Sequence, residues 1–331
     1  MNKSIQLSKR PQGKVQLTDF AFTNTDKPII EAGEMLLKIC YVSVDPYLRG
    51  RMNEGKSYIP PFELNATIVS GIIAQVVESN IEEFHPGDYV SGMLEWKEFQ
   101  KSKGEGLYKV HPNHAPLPAF LGVLGMTGLT AYFGLSEIAK PRKGETLVVS
   151  GAAGAVGSIV GQIGKILGCH VVGIAGSDEK VELLKSKFHF DEAINYKTTP
   201  NMVEAIAKAC PNGVDIYFDN VGGSISDAVF FNINKFSRLV ICGAISIYNA
   251  TSLPKSVSVQ PFLVKNSALM QGFIVSNYAA QFPEGIKQLA LWLREGKISY
   301  NETIIEGFEN IPQAFIDLFE GKNTGKMIVK I

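Results

Sequence analysis

GETLVVSGAAGAVGSIVGQIGKILGCHVVGIAGSDEK, residues 144–180, decides the fold. An apolar run at 146–150 stops at Gly151, and a turn of glycines and alanines follows. Apolar residues then recur at helical spacing, and a second β-branched run begins at 170. The order predicts strand, tight turn, helix and strand, a unit that aims a helix N-terminus at a closely approaching ligand. Glycines fall at 151, 154 and 157, so the fingerprint reads A-x-G-x-x-G from Ala152. That spacing is weak alone and gains meaning from the strand before it and the helix after it. Gly154, Ala155, Val156 and Gly157 are therefore the expected seat of a dinucleotide pyrophosphate. An acidic residue about twenty positions on would meet a free ribose 2′-hydroxyl. Here that place holds Ala175, Gly176 and Ser177, with Lys180 just beyond. Small, hydroxylic and cationic groups suit a 2′-phosphate, so the expected cofactor is NADP(H).

At 331 residues two domains are the default. Thirty-two basic residues balance thirty-two acidic ones, so no large field recruits nucleic acid or an anionic membrane. The polar start MNKSIQLSKRP lacks a signal-peptide core, and no apolar run is long enough to span a bilayer. Cys40, Cys169, Cys210 and Cys242 form no C-x-x-C pair, which fits free thiols in a reducing compartment. The expected setting is the cytoplasm.

Before residue 120, short apolar runs separated by Gly, Pro and Asn predict a mostly antiparallel β domain. Residues 121–139 read as a helix rich in small residues. From 145 strands alternate with helices, with strands predicted at 146–150, 170–175, 192–195, 214–218, 238–242 and 268–273. Helices are predicted near 155–168, 178–187, 200–209, 223–234 and 280–295. The alternation implies a doubly wound parallel sheet. The tail ends in the strand-like KMIVKI, which the pattern returns to the first domain.

Ser177 suits the N-cap of the helix from Asp178. Lys180 in the first turn of that helix is unfavourable unless a bound phosphate reverses the sign. Tyr196 fits either packing at a strand end or contact with the adenosine phosphate. Asn220, in FDNVGG, fits either a turn or the cofactor crevice outside the strand ends. The loop after the next strand, Cys242, Gly243, Ala244, Ile245, Ser246, Ile247 and Tyr248, reaches the same crevice. Cys242 reads as a small buried residue and not a nucleophile. Tyr248 carries the hydroxyl in that loop able to reach a substrate oxygen. The histidines and cysteines show no zinc-ligand spacing, so the expected metal content is none.

These stretches, with SVDPYLRGRM (43–52), GMTGLTAYFGL (125–135), NYKT (195–198) and GKNTGKMIVK (321–330), resemble the zinc-free medium-chain dehydrogenase/reductase proteins. The likeness is to their leukotriene B4 12-hydroxydehydrogenase/prostaglandin reductase, or 2-alkenal reductase, group and covers nearly the whole chain. It implies a GroES-like catalytic domain at 1–122, completed by 302–331, around a Rossmann NADP-binding domain at 123–301. It places Lys180 and Tyr196 at the 2′-phosphate and Asn220 at the nucleotide. It sets residues 242–248 beside the nicotinamide, with Phe273, Ile274 and Val275 on the adjoining strand and Asn323 reaching in from the tail. The implied reaction is reduction of the carbon–carbon double bond of an enal or enone by hydride transfer to the β-carbon, in a homodimer. Tyr248 and the cofactor ribose hydroxyl would stabilise the enolate. Tyr47 either faces substrate or packs beneath the Pro46 turn. The 93–106 stretch supplies the variable pocket wall, and the 248–261 loop lacks the longer proline-rich form of the animal prostaglandin members. Two other readings fit the same residues: an NADPH quinone oxidoreductase, and a weakly catalytic NADP-binding relative.

Overall fold

A computed structural model describes residues 1–252 and 254–331, so Leu253 in the 248–261 loop lies outside the described residues. The chain divides into two compact units. One comprises Met1–Leu121, Glu302–Asn323 and Met327–Ile331, and the other Gly122–Asn301 with Thr324–Lys326.

In the first unit, numbered along the chain, β1 (Asn2–Leu7) pairs antiparallel with β2 (Phe20–Thr25). The main sheet is built from β3 (Met35–Ser43), β4 (Val69–Ser79), β5 (Tyr89–Glu95) and β7 (Tyr108–Val110), with β6 (Phe99–Ser102) beside β3. Two tail strands, β14 (Glu302–Glu306) and β15 (Lys326–Lys330), complete it. As the tail's apolar run predicts, β15 pairs antiparallel with β3, Ile328 opposite Ser43 and Lys330 opposite Tyr41. Alternating side chains from these strands fill one core, where Met35, Leu37, Ile39, Trp96, Phe315 and Val329 are fully enclosed. The unit's helices are the short α1 (Leu48–Arg51) and α9 (Ile311–Phe319), the second of which supplies Phe315 and is left unassigned by the sequence reading. Pro312 at its first turn was the available signal.

The second unit carries a parallel sheet in the order β10-β9-β8-β11-β12-β13. These strands are β8 (Thr146–Ser150), β9 (His170–Ala175), β10 (Glu192–Asn195), β11 (Val214–Asp219), β12 (Ile233–Ile241) and β13 (Leu269–Gly272). The order reverses between β8 and β11, which fixes where a ligand crevice opens beyond the strand ends. All five residues of β8 are buried, as a central parallel strand covered on both faces requires. The helices are α2 (Met126–Phe133), α3 (Gly157–Ile166), α4 (Asp178–Ser186), α5 (Met202–Ala209), α6 (Gly223–Phe230), α7 (Gln260–Asn266) and α8 (Phe282–Arg294). Helix α3 lies close on the sheet because Gly161 leaves room that a Cβ would take from the Phe190 ring, 1.8 Å away.

This unit differs from expectation in the 121–139 helix, at the boundary between α6 and β12, and in α7. The helix expected over 121–139 is α2 alone, preceded by a 3₁₀ turn at Leu117–Leu121 and continued by a π-turn at Gly134–Ala139. A Cβ on Gly128 would stand 1.9 Å from the Val123 carbonyl, so chain and helix meet too closely for one uninterrupted helix. Helix α6 stops at Phe230 and β12 starts at Ile233, five residues before the predicted strand. Its early part bends where the pairing with β11 shifts register, and Phe236 sits there in the left-handed region at φ 63°. Helix α7 was not expected, although Pro261 opens it.

Candidate active site

The fingerprint turn leaves β8 through Gly151, whose φ of 60° suits glycine. Gly154 N–H donates to the Gly151 carbonyl at 3.0 Å, and Ser158 N–H to the Gly154 carbonyl at 3.1 Å. The amides of Ala155, Val156 and Gly157 thus precede the helical ladder of α3, where a helix N-terminus receives an anion. Gly157 must be small, since a Cβ there would lie 2.4 Å from the Gly151 carbonyl. Gly325, from the Thr324–Lys326 segment of the same unit, donates to the Ala153 carbonyl at 2.8 Å and bridges Gly154. Asn323 lies just before that segment, within the first unit, and is half-buried.

At the end of β9, Ser177 caps α4 by accepting from the Lys180 amide at 3.3 Å, as predicted. The Tyr196 ring packs over Gly176, where a Cβ would come within 2.9 Å of it. The half-buried Lys180 ammonium is held below its usual pKa range by desolvation and then by the nearby charge of Lys197. Two cations and a tyrosine around a glycine strand end make a place that gains from a dianion. This donor set fits a 2′-phosphate, and the end of β9 itself, Ala175 and Gly176, carries no carboxylate for a ribose hydroxyl.

Asn220 follows β11, donating its side-chain amide to the Ser150 carbonyl at 2.8 Å. Ile245 N–H donates to the Asn220 carbonyl at 3.3 Å, and the Ser246 hydroxyl to the Val221 carbonyl at 2.6 Å. The loop at 242–248 is therefore laced to the FDNVGG turn. An open cleft of about 460 Å³ lies against it, lined by Cys242, Gly243, Ala244, Tyr248, Phe273 and Ile274 among others. Val275 follows immediately, in the 3₁₀ turn Val275–Gln281. The sequence reading missed Asn277, whose exposed side chain also lines the cleft.

Tyr248 is poised as a donor. Its hydroxyl oxygen accepts the Ala244 amide at 3.2 Å, which leaves the phenolic proton for another partner. Burial, then the charges of Cys242 and Asp219, push its pKa above the ordinary phenol value, so it is protonated at neutral pH. Burial and Asp219 push the Cys242 thiol up to about 12, which removes it as a nucleophile. Tyr47 belongs to the first unit and packs against its core; burial and Asp45 raise its phenol too. Among the described residues no three His, Cys, Asp or Glu side chains gather as a metal ion would need.

Residues 3–110 match the N-terminal domain of oxidoreductase family, and residues 155–291 match the zinc-binding dehydrogenase family. YfmJ of Bacillus subtilis (strain 168) is 56% identical, with 99% of this chain and 97% of that protein covered. Prostaglandin reductase 1 of Bos taurus is 45% identical over 99% of this chain and 98% of its own. The NADP(+)-dependent 2-alkenal reductase of Nicotiana tabacum is 41% identical over 100% and 97%. A crystal structure of CurA from Vibrio vulnificus in complex with NADPH superposes with a TM-score of 0.94 at 45% identity, covering 99% of this chain and 98% of that one. With a GroES-like β unit, a Rossmann-type sheet and near-complete coverage by these relatives, the chain belongs to the zinc-independent medium-chain dehydrogenase/reductase family, in its prostaglandin reductase and 2-alkenal reductase group.

Proposed function

We propose that this protein is an NADPH-dependent reductase of α,β-unsaturated aldehydes and ketones. The observation that carries the reading is the protonated Tyr248 hydroxyl on the wall of the cleft formed by the 242–248 loop and Phe273. The NADPH complex of the CurA structure and the substrate named for the tobacco relative agree with it. Bound NADPH supplies a hydride to the β-carbon of the substrate. Gly154, Ala155, Val156 and Gly157 hold the pyrophosphate, Lys180 and Tyr196 the 2′-phosphate, and Asn220 with Asn323 the nucleotide. Tyr248 donates to the carbonyl oxygen as enolate charge develops there, and solvent water protonates the α-carbon. Phe273, Ile274 and Val275 form the apolar side of the seat.

NADPH absorbance loss with a short enal, against the same assay with a naphthoquinone, tests the reading. Turnover of the enal is expected, and turnover of the quinone alone would replace it with quinone oxidoreduction.

A homodimer belongs to the same proposal. Strand β13 is the last in its sheet, and Leu269, Met270 and Val264 beside it are exposed. A second copy pairing along this edge gives a solution mass of twice 36.1 kDa by light scattering, and a monomer mass would reject the pairing. The four free thiols agree with a reducing cytoplasmic setting. No helix among the described residues is long and apolar enough to cross a membrane.

A further inference from the structure

Asp219 ends β11 next to Ser150, which ends β8, where the strand order reverses. Its side chain is buried and surrounded by donors. Oδ1 accepts from Ser150 Oγ at 2.8 Å and from the Tyr217 hydroxyl, Val221 N–H and Gly222 N–H at 2.9 Å. Oδ2 accepts from Ser226 Oγ at 2.5 Å. The Asp219 carbonyl takes the Cys242 and Gly243 amides at 2.9 and 3.1 Å. One residue therefore joins the ends of β8 and β11 to the start of the cleft-lining loop.

Every one of these donors is neutral, and among the described residues no Lys, Arg or His forms an ion pair with Asp219. A neutral carboxamide would have the same shape and cost far less to bury. The carboxylate sits directly behind the cleft wall, since the same residue's carbonyl holds the Cys242 and Gly243 amides, and after burial it adds to the raised pKa of Cys242 and Tyr248. Loss of hydride turns a neutral dihydronicotinamide into a cation, and a fixed negative charge favours that product.

We propose that Asp219 is a positioning residue whose uncompensated buried charge, applied through the loop it anchors, makes the cleft favour oxidised over reduced cofactor. The proposal rests on the reading that places the nicotinamide in this cleft. Calorimetric Kd values for NADP⁺ and NADPH, with wild type and Asp219→Asn, test it without turnover. Asp219→Asn is expected to weaken NADP⁺ about tenfold relative to NADPH, well below the roughly thousandfold of a contact at about 4 Å in an effective dielectric of about 20, because the charge acts from behind the loop. Ser226→Ala removes a donor but keeps the charge and leaves the ratio unchanged. If Asp219→Asn does not fold, Ser246→Lys decides. Position 246 is exposed and its hydroxyl bonds to the Val221 carbonyl, so a cation there opposes Asp219 and moves the ratio the same way. A ratio unmoved in the folded variant, with both forms still bound, overturns the proposal alone. A wild-type protein that binds neither form overturns the cofactor seat and this proposal together.

Discussion

Lys180→Ala is expected to weaken NADPH roughly 10- to 150-fold while changing NADH little, the span of one charge-assisted hydrogen bond to a dianion. The structural basis is the combination at the end of β9. Lys180 is half-buried beside Lys197, and both the desolvation and the like charge disfavour its ammonium. A 2′-phosphate reverses both costs, since it neutralises the pair. NADH lacks that phosphate and depends on the other contacts of the dinucleotide, the pyrophosphate turn among them, which the substitution leaves alone. Titrating both cofactors against wild type and variant gives the answer. Equal losses for the two would detach Lys180 from the 2′-phosphate.

Tyr248→Phe is the second large effect. Removing one preorganised donor from a developing oxyanion costs about 100- to 1,000-fold in kcat. The NADPH Kd is expected to change little, because the phenol ring still fills its place against the loop. The variant does leave the Ala244 amide without its 3.2 Å acceptor, and this is a modest structural cost separable by thermal unfolding. The raised phenol pKa adds a pH signature. A group whose pKa is raised keeps its proton to higher pH, so donation by Tyr248 persists through the ordinary phenol range and fails only above it. A kcat within threefold of wild type in Tyr248→Phe would remove this tyrosine from the chemistry.

Much of this site was legible along the chain because its signals are local. The change from period-two runs to strand–helix alternation at 145 marked the nucleotide-binding unit. The spacing of Gly151, Gly154 and Gly157 marked its turn, and strands β8, β9 and β10 lie where the apolar runs put them. Lys180 stood out because a cation in a first helical turn breaks an electrostatic rule. What was not legible depends on distance. Asp219 is tied to Ser150 across 69 residues, and nothing near FDNVGG announces that partnership. The π-turn after α2 has the same origin: a Cβ at Gly134 would collide with Phe218 and Phe273, residues 84 and 139 positions away. The early start of β12 was hidden because the helical pattern from 223 runs on through Ile233 and Asn234, and only the pairing of Ile233 with Val214 draws that stretch into the sheet. Helix α7 failed for a different reason. Its seven residues, QPFLVKN, are too few to show a helical period, and Pro261 closes the 248–261 loop in the sequence reading.

The antiparallel pairing of β15 with β3 also constrains how the chain is born. The last third of β3, Tyr41 to Ser43, pairs with β4 on one side, Tyr41 opposite Ile73 and Val42 opposite Ile72, but its other flank is covered by residues 328–330, almost the entire length of the polypeptide away. At 5–20 residues per second, a ribosome needs on the order of 15–60 s to make the chain between them. Through that interval the nascent β sheet carries an unpaired flank bearing Tyr41, Val42 and Ser43, the kind of edge on which chains associate wrongly. A sheet begun by β3 early in synthesis is closed only by the last strand made, so synthesis rate and chaperone access bear on the yield of this protein.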